Sequence, residues 1–543
     1  MWVGARSLAG MRATSIGHAG LLIETTGGSI LCDPWFIPAF LGSWFVFPRN
    51  DQLPSDLLER IEHADYLYVS HLHGDHHDEP WLREHLRRDI PILLPGYPSR
   101  EQQRTLERLG FTEFIRTVDG EELELAPGLT VAIHVETSIT DGPGGDSALV
   151  VADRTGRIVN QNDCRTTDLA ALRRHGPVDL HWLQHSGAIW YPMVYELPPD
   201  ELARLAAAKV DSQLTRALRY VEAIDARAVV PSAGPPAFLD DELFHLNVIH
   251  GDEPSIFPDQ RTFLDRLAGI GRTGLLNIPG TAIDVSPEAI TVQHPLPDDD
   301  VAAIFTEKVA YLRQYQADWK EWLADTRAGW RAAGAAADHD LLATLRDWWE
   351  PLLRLAPTLR QAIGTSCRFT ATGHDGADDV DVLIDFPAGT VRAYAGEPYE
   401  FSFAIPRELV AAVAAQRAVD WSNSLFLSCR FRAWRAGDFN EYLYNFFKSL
   451  SVERIRRAEA EAVRKLDPPT ATEPDIEIGD YTVQRRCPHR NADLTVFGEL
   501  EPAATSTSGA DELVCTLHGW RFDCGTGRCL TATDRPIRIR RTT

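Results

Sequence analysis

Two separate stretches of the chain carry residue types that bind metals. Residues 70–80 read SHLHGDHHDEP, which packs His71, His73, Asp75 and His76 into six positions. Far downstream come CPHR at 487–490 and CTLHGW at 515–520, each with one cysteine and one histidine. Imidazole with carboxylate suits zinc, iron or manganese, whereas thiolate with imidazole suits zinc or an iron–sulfur cluster. A single polypeptide with both sets needs a reason for two centres of different chemistry.

The ligand order of the downstream pair is informative. Cys487-x-His489 and Cys515-x-x-His518 put one thiolate and one imidazole on each arm. A Cys2His2 zinc finger instead places both cysteines before both histidines. A Rieske [2Fe–2S] centre has two cysteines on one iron and two histidines on the other, which mixed arms provide. The flanking text, CPHRNADL and CTLHGWRFDCGTG, resembles the Rieske domains of oxygenases. It departs from them in the 25 residues between the arms, a surplus that falls in the polar loop EPAATSTSGAD (501–511). The resemblance implies a one-electron carrier fed by a reductase or ferredoxin, with Cys487, His489, Cys515 and His518 as cluster ligands. Cys524 and Cys529, past the second arm, are expected to form a structural or solvent-facing pair.

The upstream run follows the apolar strand YLYVS (66–70), and His-x-His-x-Asp-His in that setting resembles the metallo-β-lactamase fold. There the loop turns at Gly74 so that His71, His73 and His76 converge, and Asp75 supplies a hard oxygen to a second metal. The wider text, SIGHAGLLIETTGGSILCDPWF and ADYLYVSHLHGDHHDEPWL, resembles the N-acyl-phosphatidylethanolamine hydrolase and ascorbate-lactone hydrolase branch. It is more similar to the CMP-N-acetylneuraminate hydroxylase family, whose ILxDPW, SHLHxDH and later Asp-Cys elements occur here in the same order, the last as Asp163-Cys164. The likeness covers roughly residues 11–450. That family also joins this fold to a Rieske domain, at the N-terminus rather than the C-terminus.

By that resemblance Asp163 bridges two metals, His18 stands beside them as a hydrogen-bonding neighbour, and Asp33 orients a ligand histidine. Two histidines common in the superfamily are missing: SITDGPGGDS precedes the strand at 147–153, and PSAGPPAF follows the strand at 228–231. His185 is the first replacement candidate, ahead of Asp141, His181, His245 and His250, with Asp146 also in the histidine-free loop. The metal set is therefore His71, His73, Asp75, His76, Asp163 and His185, and the catalytic set Asp75, Asp163, His18 and His185. Arg165 and Tyr191 are expected to face the pocket. Glu242, His245 and His250 form a rival 2-His-1-carboxylate pattern, disfavoured because oxygenases of that type carry a large catalytic domain after the Rieske domain.

A hydrolase needs no electron donor, and zinc has no redox chemistry. A one-electron relay on the same chain is explained if the upstream site holds iron, one ion or two, and activates dioxygen. The expected function is a Rieske-coupled, non-haem di-iron monooxygenase that hydroxylates a small substrate, nucleotide-linked if the family likeness extends that far. The alternative is a zinc hydrolase of a phosphodiester, lactone or amide, with the Rieske domain as a redox sensor. Electron transfer within one chain and between subunits of a homo-oligomer both stay open.

These residues need positioning elements. ATSIGHAGLLIETTGGSILCDPWF (13–36) alternates around Thr26-Gly27-Gly28 as a hairpin, and YLYVS leads into the histidines. A helix from Glu79, a strand at 90–95, a helix at 100–110 and strands at 129–136, 147–153 and 157–163 follow, then alternating helix and strand through 211–234. The pattern predicts an α/β class with a helical region after it, and the resemblances imply that these are an αββα metallo-β-lactamase sandwich and, at the end of the chain, a small all-β Rieske domain. The expected bounds are 11–300 for the catalytic domain, 301–466 for a mainly helical accessory region with a mixed stretch at 366–403, 467–474 for the DPPTATEP linker, and 475–543 for the Rieske domain. Trp319, Trp322, Trp330, Trp348 and Trp349 read as helix-packing residues.

Composition narrows the partners. Hydrophobic residues at 44% and charged residues at 24% describe a folded chain, and 543 residues is too long for one core. A net charge of −24 leaves no basic surplus for nucleic acid or anionic membrane. No apolar run approaches a membrane span, and the N-terminus lacks the apolar core of a signal peptide. Four of the eight cysteines fall within 487–529, which points to metal rather than disulfides and to the cytoplasm.

Overall fold

The computed structural model describes residues 10–137, 145–166, 168–187, 189–247, 254–373, 378–466, 473–488, 492–503, 506, 508–516, 519–531 and 536–542. The chain forms two compact units, one of residues 1–188 with 203–320 and one of residues 189–202 with 321–543.

Alternation of apolar side chains builds the first unit. In the hairpin Gly20–Thr25 and Gly28–Cys32, Leu21 pairs with Cys32 and Ile23 with Ile30. Leu22 and Leu31 point to the opposite face, as a period of two requires. The hairpin lies in an eight-stranded sheet ordered Ile290–Gln293, Ala282–Val285, Met11–Gly17, Gly20–Thr25, Gly28–Cys32, Tyr66–Tyr68, Ile92–Leu94 and Phe114–Arg116. The pairs from Gly28–Cys32 onward are parallel and the earlier ones antiparallel. A second sheet has six strands in the order Ala228–Ser232, Leu180–Gln184, Arg157–Asn162, Asp146–Ala152, Leu129–Glu136 and Glu122–Ala126.

The two sheets share a buried core. Leu21, Ile23, Ile30 and Cys32 of the first meet Val131, Ile133, Leu149, Val151, Trp182 and Val230 of the second. The outer face of the first sheet, Leu22, Leu31 and Leu67, is covered by Leu57 and Ile61 of helix Ser55–Glu62, Trp81 and Leu82 of Glu79–His85, and Leu106 of Glu101–Arg108. Ala132, Val150 and Val159 on the other outer face pack on Leu172 of Leu169–Arg173 and Ile224 of the long helix Pro199–Ile224. This is the expected helix–sheet–sheet–helix sandwich of the metallo-β-lactamase fold. Each fully buried Leu, Ile or Val contributes about 1.5–3 kcal/mol relative to exposure. The unit runs to Lys320 and takes in the helices Asp298–Thr306 and Lys308–Asp318, where Tyr315 and Trp319 pack edge-on against Phe45.

The second unit contains the helices Leu341–Arg354, Pro357–Ile363, Arg407–Ala415, Glu441–Phe447 and Val452–Leu466. Alongside them is a five-stranded sheet in the order Thr390–Ala393, Val380–Asp385, Ser366–Thr372, Phe401–Pro406 and Arg432–Arg435. The sequence marks this region only as helical with a mixed stretch. Its strands Ser366–Thr372 and Phe401–Pro406 alternate over few residues and sit between stronger helical periodicities. Trp348 and Trp349 are buried against Trp421, and Trp330 is buried too, whereas Trp319 and Trp322 are half-buried. The C-terminal part is the expected small all-β arrangement, with one sheet of Ile476–Ile478, Tyr481–Val483 and Ile539–Arg541 and another of Gly498–Glu501, Glu512–Cys515 and Trp520–Asp523. Among the described residues no helix is long and apolar enough to cross a membrane.

Candidate functional site

The histidine run sits in the loop beyond strand Tyr66–Tyr68, and long-range hydrogen bonds fix that loop. The Ser70 N–H donates to Asp33 Oδ1 at 2.7 Å. The Ser70 carbonyl accepts from Tyr97 OH at 2.5 Å and from Ser147 Oγ at 2.8 Å. Ser70 Oγ contacts His71 Nδ1 at 3.0 Å and His76 Nδ1 at 3.3 Å. One serine thus anchors both ends of the run.

Two groups of donor atoms result. His18, Asp75 and His76 form one and His71, His76 and Asp163 the other, with the atoms of each group within 4.8 Å of one another. His18 Nε2 lies 3.0 Å from Asp75 Oδ2, and His76 Nε2 lies 3.6 Å from Asp163 Oδ1 and 3.8 Å from Asp75 Oδ2. His73 joins through its Nδ1, 2.8 Å from His71 Nε2. His18 reaches the group because the turn after Met11–Gly17 is left-handed: Gly17 has φ 106° and His18 φ 51°. A side chain at Gly17 would stand 2.6 Å from Val46, so glycine is required there.

Further residues hold the donors in place. Asp33 Oδ2 faces His76 Nδ1 at 3.1 Å and accepts from Asn162 Nδ2 at 2.6 Å. Asp146, noted in the sequence only as part of the histidine-free loop, is buried with Oδ1 3.4 Å from His71 Nδ1. Asn162, Tyr97 and Ser147 carry no sequence signal of this role, because their partners are dozens of residues away.

The electrostatics suit a cation. Burial works against charge on His76, yet Asp75, Asp163 and Asp33 push its imidazole well above the usual range. Asp75 is likewise opposed by burial, but His76 and His18 hold its carboxyl well down. Burial, then the neighbouring His76 and His73, drives His71 well below the usual histidine range. His76 Nε2, His18 Nδ1 and Asp163 Oδ1 are buried without a hydrogen-bond partner. Buried polar atoms left unpaired cost about 1–3 kcal/mol each, and a bound metal ion would remove that cost.

Other expected residues fall elsewhere. His185 is fully buried and in neither group; its Nδ1 faces the Ser232 carbonyl at 3.3 Å, its ring stacks on Phe263, and burial lowers it to about 4. His181 is a core residue, its Nε2 2.8 Å from Gln161 Oε1. Glu242 and His245 are exposed, and Asp141 and His250 lie outside the described residues. Tyr191 belongs to the second unit, with Arg435 5.1 Å over its ring, and not to the sandwich as its sequence neighbourhood suggested. Cys487 and Cys515 are buried, while His489 and His518 lie outside the described residues. Cys524 and Cys529 are also buried, 3% and 2% exposed, which corrects the solvent-facing alternative: Phe522 bridges to Cys529 and draws the turn inward.

Comparison with known proteins adds to this geometry. A Rieske [2Fe–2S] domain model matches residues 454–538, and an Rv3818-like, SCP2-like domain model matches residues 341–464. The protein named Rieske 2Fe–2S iron–sulfur protein Rv3818, of Mycobacterium tuberculosis, is 43% identical over 539 residues, 98% of this chain and 100% of its own length. A counterpart from Mycolicibacterium smegmatis is 42% identical with the same coverage. Cytidine monophosphate-N-acetylneuraminic acid hydroxylase of Danio rerio is 31% identical over 190 residues, which span 34% of this chain and 30% of that protein. The solved structure of CmlA, a diiron β-hydroxylase from Streptomyces venezuelae, covers 52% of this chain and 54% of its own at 16% identity, with a TM-score of 0.33.

Proposed function

Since the chain belongs to the family of Rieske 2Fe–2S iron–sulfur proteins that includes Rv3818, we propose that it is a Rieske-coupled, non-haem iron monooxygenase. The supporting observation is the buried ion pair of His76 Nε2 and Asp163 Oδ1, 3.6 Å apart, within a cluster of histidine and carboxylate donors on a chain that also carries an electron-transfer domain. A one-electron relay serves no purpose beside redox-inert zinc.

In this reading His71, His73, Asp75, His76 and Asp163 hold one or two iron ions, with His18 completing the group around Asp75 and His76. Iron bound there supplies dioxygen activation, and the cluster, held by Cys487, His489, Cys515 and His518, supplies electrons one at a time. Two electrons, two protons and one dioxygen convert a substrate C–H or N–H to the hydroxylated product and one water. The chain's own residues do the rest. Asp33 and Asp146 fix the faces of His76 and His71, and the Ser70 anchor keeps both rings from turning. His185, in neither group of donors, is kept in the catalytic set as a fully buried imidazole whose Nδ1 faces the Ser232 carbonyl at 3.3 Å. The electron donor is an external reductase or ferredoxin, the substrate a small molecule, and the compartment the cytoplasm.

Iron and zinc analysis of anaerobically purified full-length protein, with oxygen uptake under a chemical reductant and mediator, tests the reading. About four irons per chain, two of them in the cluster, with reductant-dependent oxygen uptake is the expected result. Zinc in the upstream site and no oxygen uptake would overturn it in favour of a hydrolase whose Rieske domain senses redox state.

A further inference from the structure

A second gathering of imidazoles lies on the outer face of the six-stranded sheet. In strand Leu129–Glu136, Ala132 and His134 share that face, where Ala132, Ala148 and Val150 pack beneath Leu172 of helix Leu169–Arg173. Glu122, on the edge strand Glu122–Ala126, pairs with Ala132 and so lies on the same face. The helix ends at Arg173 and the chain turns at Gly176, left-handed at φ 90°. His175, between them, sets its ring against that of His134, with centroids 5.0 Å apart.

His134 Nε2 and His175 Nε2 stand 2.8 Å apart, and His175 Nδ1 lies 2.9 Å from Glu122 Oε1. Both rings are buried, at 5% and 7% exposure, while Glu122 is exposed. These contacts place the protons. A carboxylate only accepts, so His175 carries its proton on Nδ1 and presents a lone pair at Nε2, to which His134 Nε2 donates. Moving that one proton to His134 Nδ1 aims two nitrogen lone pairs at one point, with a carboxylate behind one of them. Carboxylate–histidine–metal triads are built in this way. Zinc–nitrogen bonds of about 2.0–2.1 Å in a tetrahedral site set the nitrogens roughly 3.3 Å apart, so the rings need to part by only about half an ångström.

The surrounding charges favour a cation. Burial first, and then His175, lowers His134 to about 4, so its ring is neutral at pH 7, the form a metal requires. Asp119 accepts from the Val135 N–H at 3.0 Å, next to His134, and Asp168 caps helix Leu169–Arg173. Both draw positive charge toward His134, and Arg174 opposes them. Arg174 is near, since a side chain at Gly120 would stand 2.8 Å from its Nη2 and 3.0 Å from His134 Cε1. With Glu122, these groups set three carboxylates against one guanidinium.

We propose that His134 and His175, the latter held by Glu122, form a binding site for a zinc-like divalent cation, separate from the upstream donors and from the cluster. Two protein nitrogens with water in the remaining positions make an exchangeable site, unlike a structural zinc site closed by four protein ligands. The bound ion joins strand Leu129–Glu136 to the end of the segment that begins at Asp163, so its occupancy bears on the loop that carries that carboxylate. The site does not depend on which metal the upstream donors hold.

The test is calorimetric titration of full-length protein, its metal content measured beforehand, with zinc chloride. The native chain is compared with His134→Gln, His175→Gln and Glu122→Gln, and any iron released is counted so that exchange upstream is not taken for binding. The expected result is a single saturable zinc beyond the metal already held, which raises the melting temperature. Affinity falls about tenfold or more in each histidine variant and about tenfold in Glu122→Gln, the scale for losing a partner that orients a ligand. No added zinc, or zinc bound equally by all four proteins because other histidines take it, would overturn the site. Should the buried histidine variants fail to fold, Glu122→Gln at its exposed position decides, and an unchanged affinity there counts against the proposal.

Discussion

Asp33 gathers three polar contacts, from the Ser70 N–H, the Asn162 amide and the His76 ring, while itself fully buried at φ 42°. Asp33→Asn keeps the volume but turns one acceptor into a donor, which then faces another donor. Chelator competition on the variant should give an affinity for the upstream metal lower by about 10–100-fold, the usual scale for losing a ligand-orienting partner. His181 offers a pH test away from the metal cluster. Burial lowers it from 6.5 to about 3, so the fold prefers the neutral ring. Its contribution is whole above the unfolded value and is lost as pH falls from 6.5 toward about 3, at no more than about 1.4 kcal/mol per pH unit. His181→Asn should therefore lose less melting temperature than the native chain between neutral and mildly acidic pH. An equal loss in both would show that His181 does not titrate in this way. At this scale the readable residues were those written contiguously: His71, His73, Asp75 and His76 fall within six positions, and chemistry can be read from spacing alone. Asp146 could be noticed but not assigned, because its contact with His71 spans two sheets.

Elements were legible where their period was strong. The hairpin at 20–32, the strand before the histidines and the strand at 129–136 stand close to their expected bounds. The strand Leu180–Gln184 was not read, since LHWLQ is buried along its whole length and shows no alternation. The helix Pro199–Ile224 was read only from its second half; its first turns, PDELARLAAAKV, are rich in Leu and Ala, but only Ala206 among them is buried. The loop that holds the site depends on elements from both sheets, and a double substitution measures that dependence. Tyr97→Phe and Ser147→Ala each leave the Ser70 carbonyl one hydrogen bond, whereas the pair leaves it buried with none from these side chains. The double variant should lose about 1–3 kcal/mol more than the sum of the single losses, measured by chemical denaturation, and should release metal faster. Simple additivity would mean the loop relaxes onto another donor.

At the scale of the whole molecule, the proposed function requires two centres of different chemistry to act on one reaction. Cys487 and His76 allow each to be removed separately in the intact chain. Cys487→Ala deletes a proposed cluster ligand in the Rieske domain while leaving the upstream donors untouched. The expected protein has about two irons and no reduced-Rieske electron paramagnetic signal. It takes up no oxygen when driven by a reductase or ferredoxin. His76→Ala removes the residue shared by both donor groups. That protein should keep the Rieske signal, accept one electron per chain from the same donor, and also take up no oxygen. The pair separates an oxygenase from a redox-sensing hydrolase, because a hydrolase would lose turnover with His76→Ala and retain it, locked in one state, with Cys487→Ala. Loss of donor-driven oxygen uptake from both ends, with each remaining centre intact, is a result that only electron flow from the C-terminal cluster to the upstream metal produces.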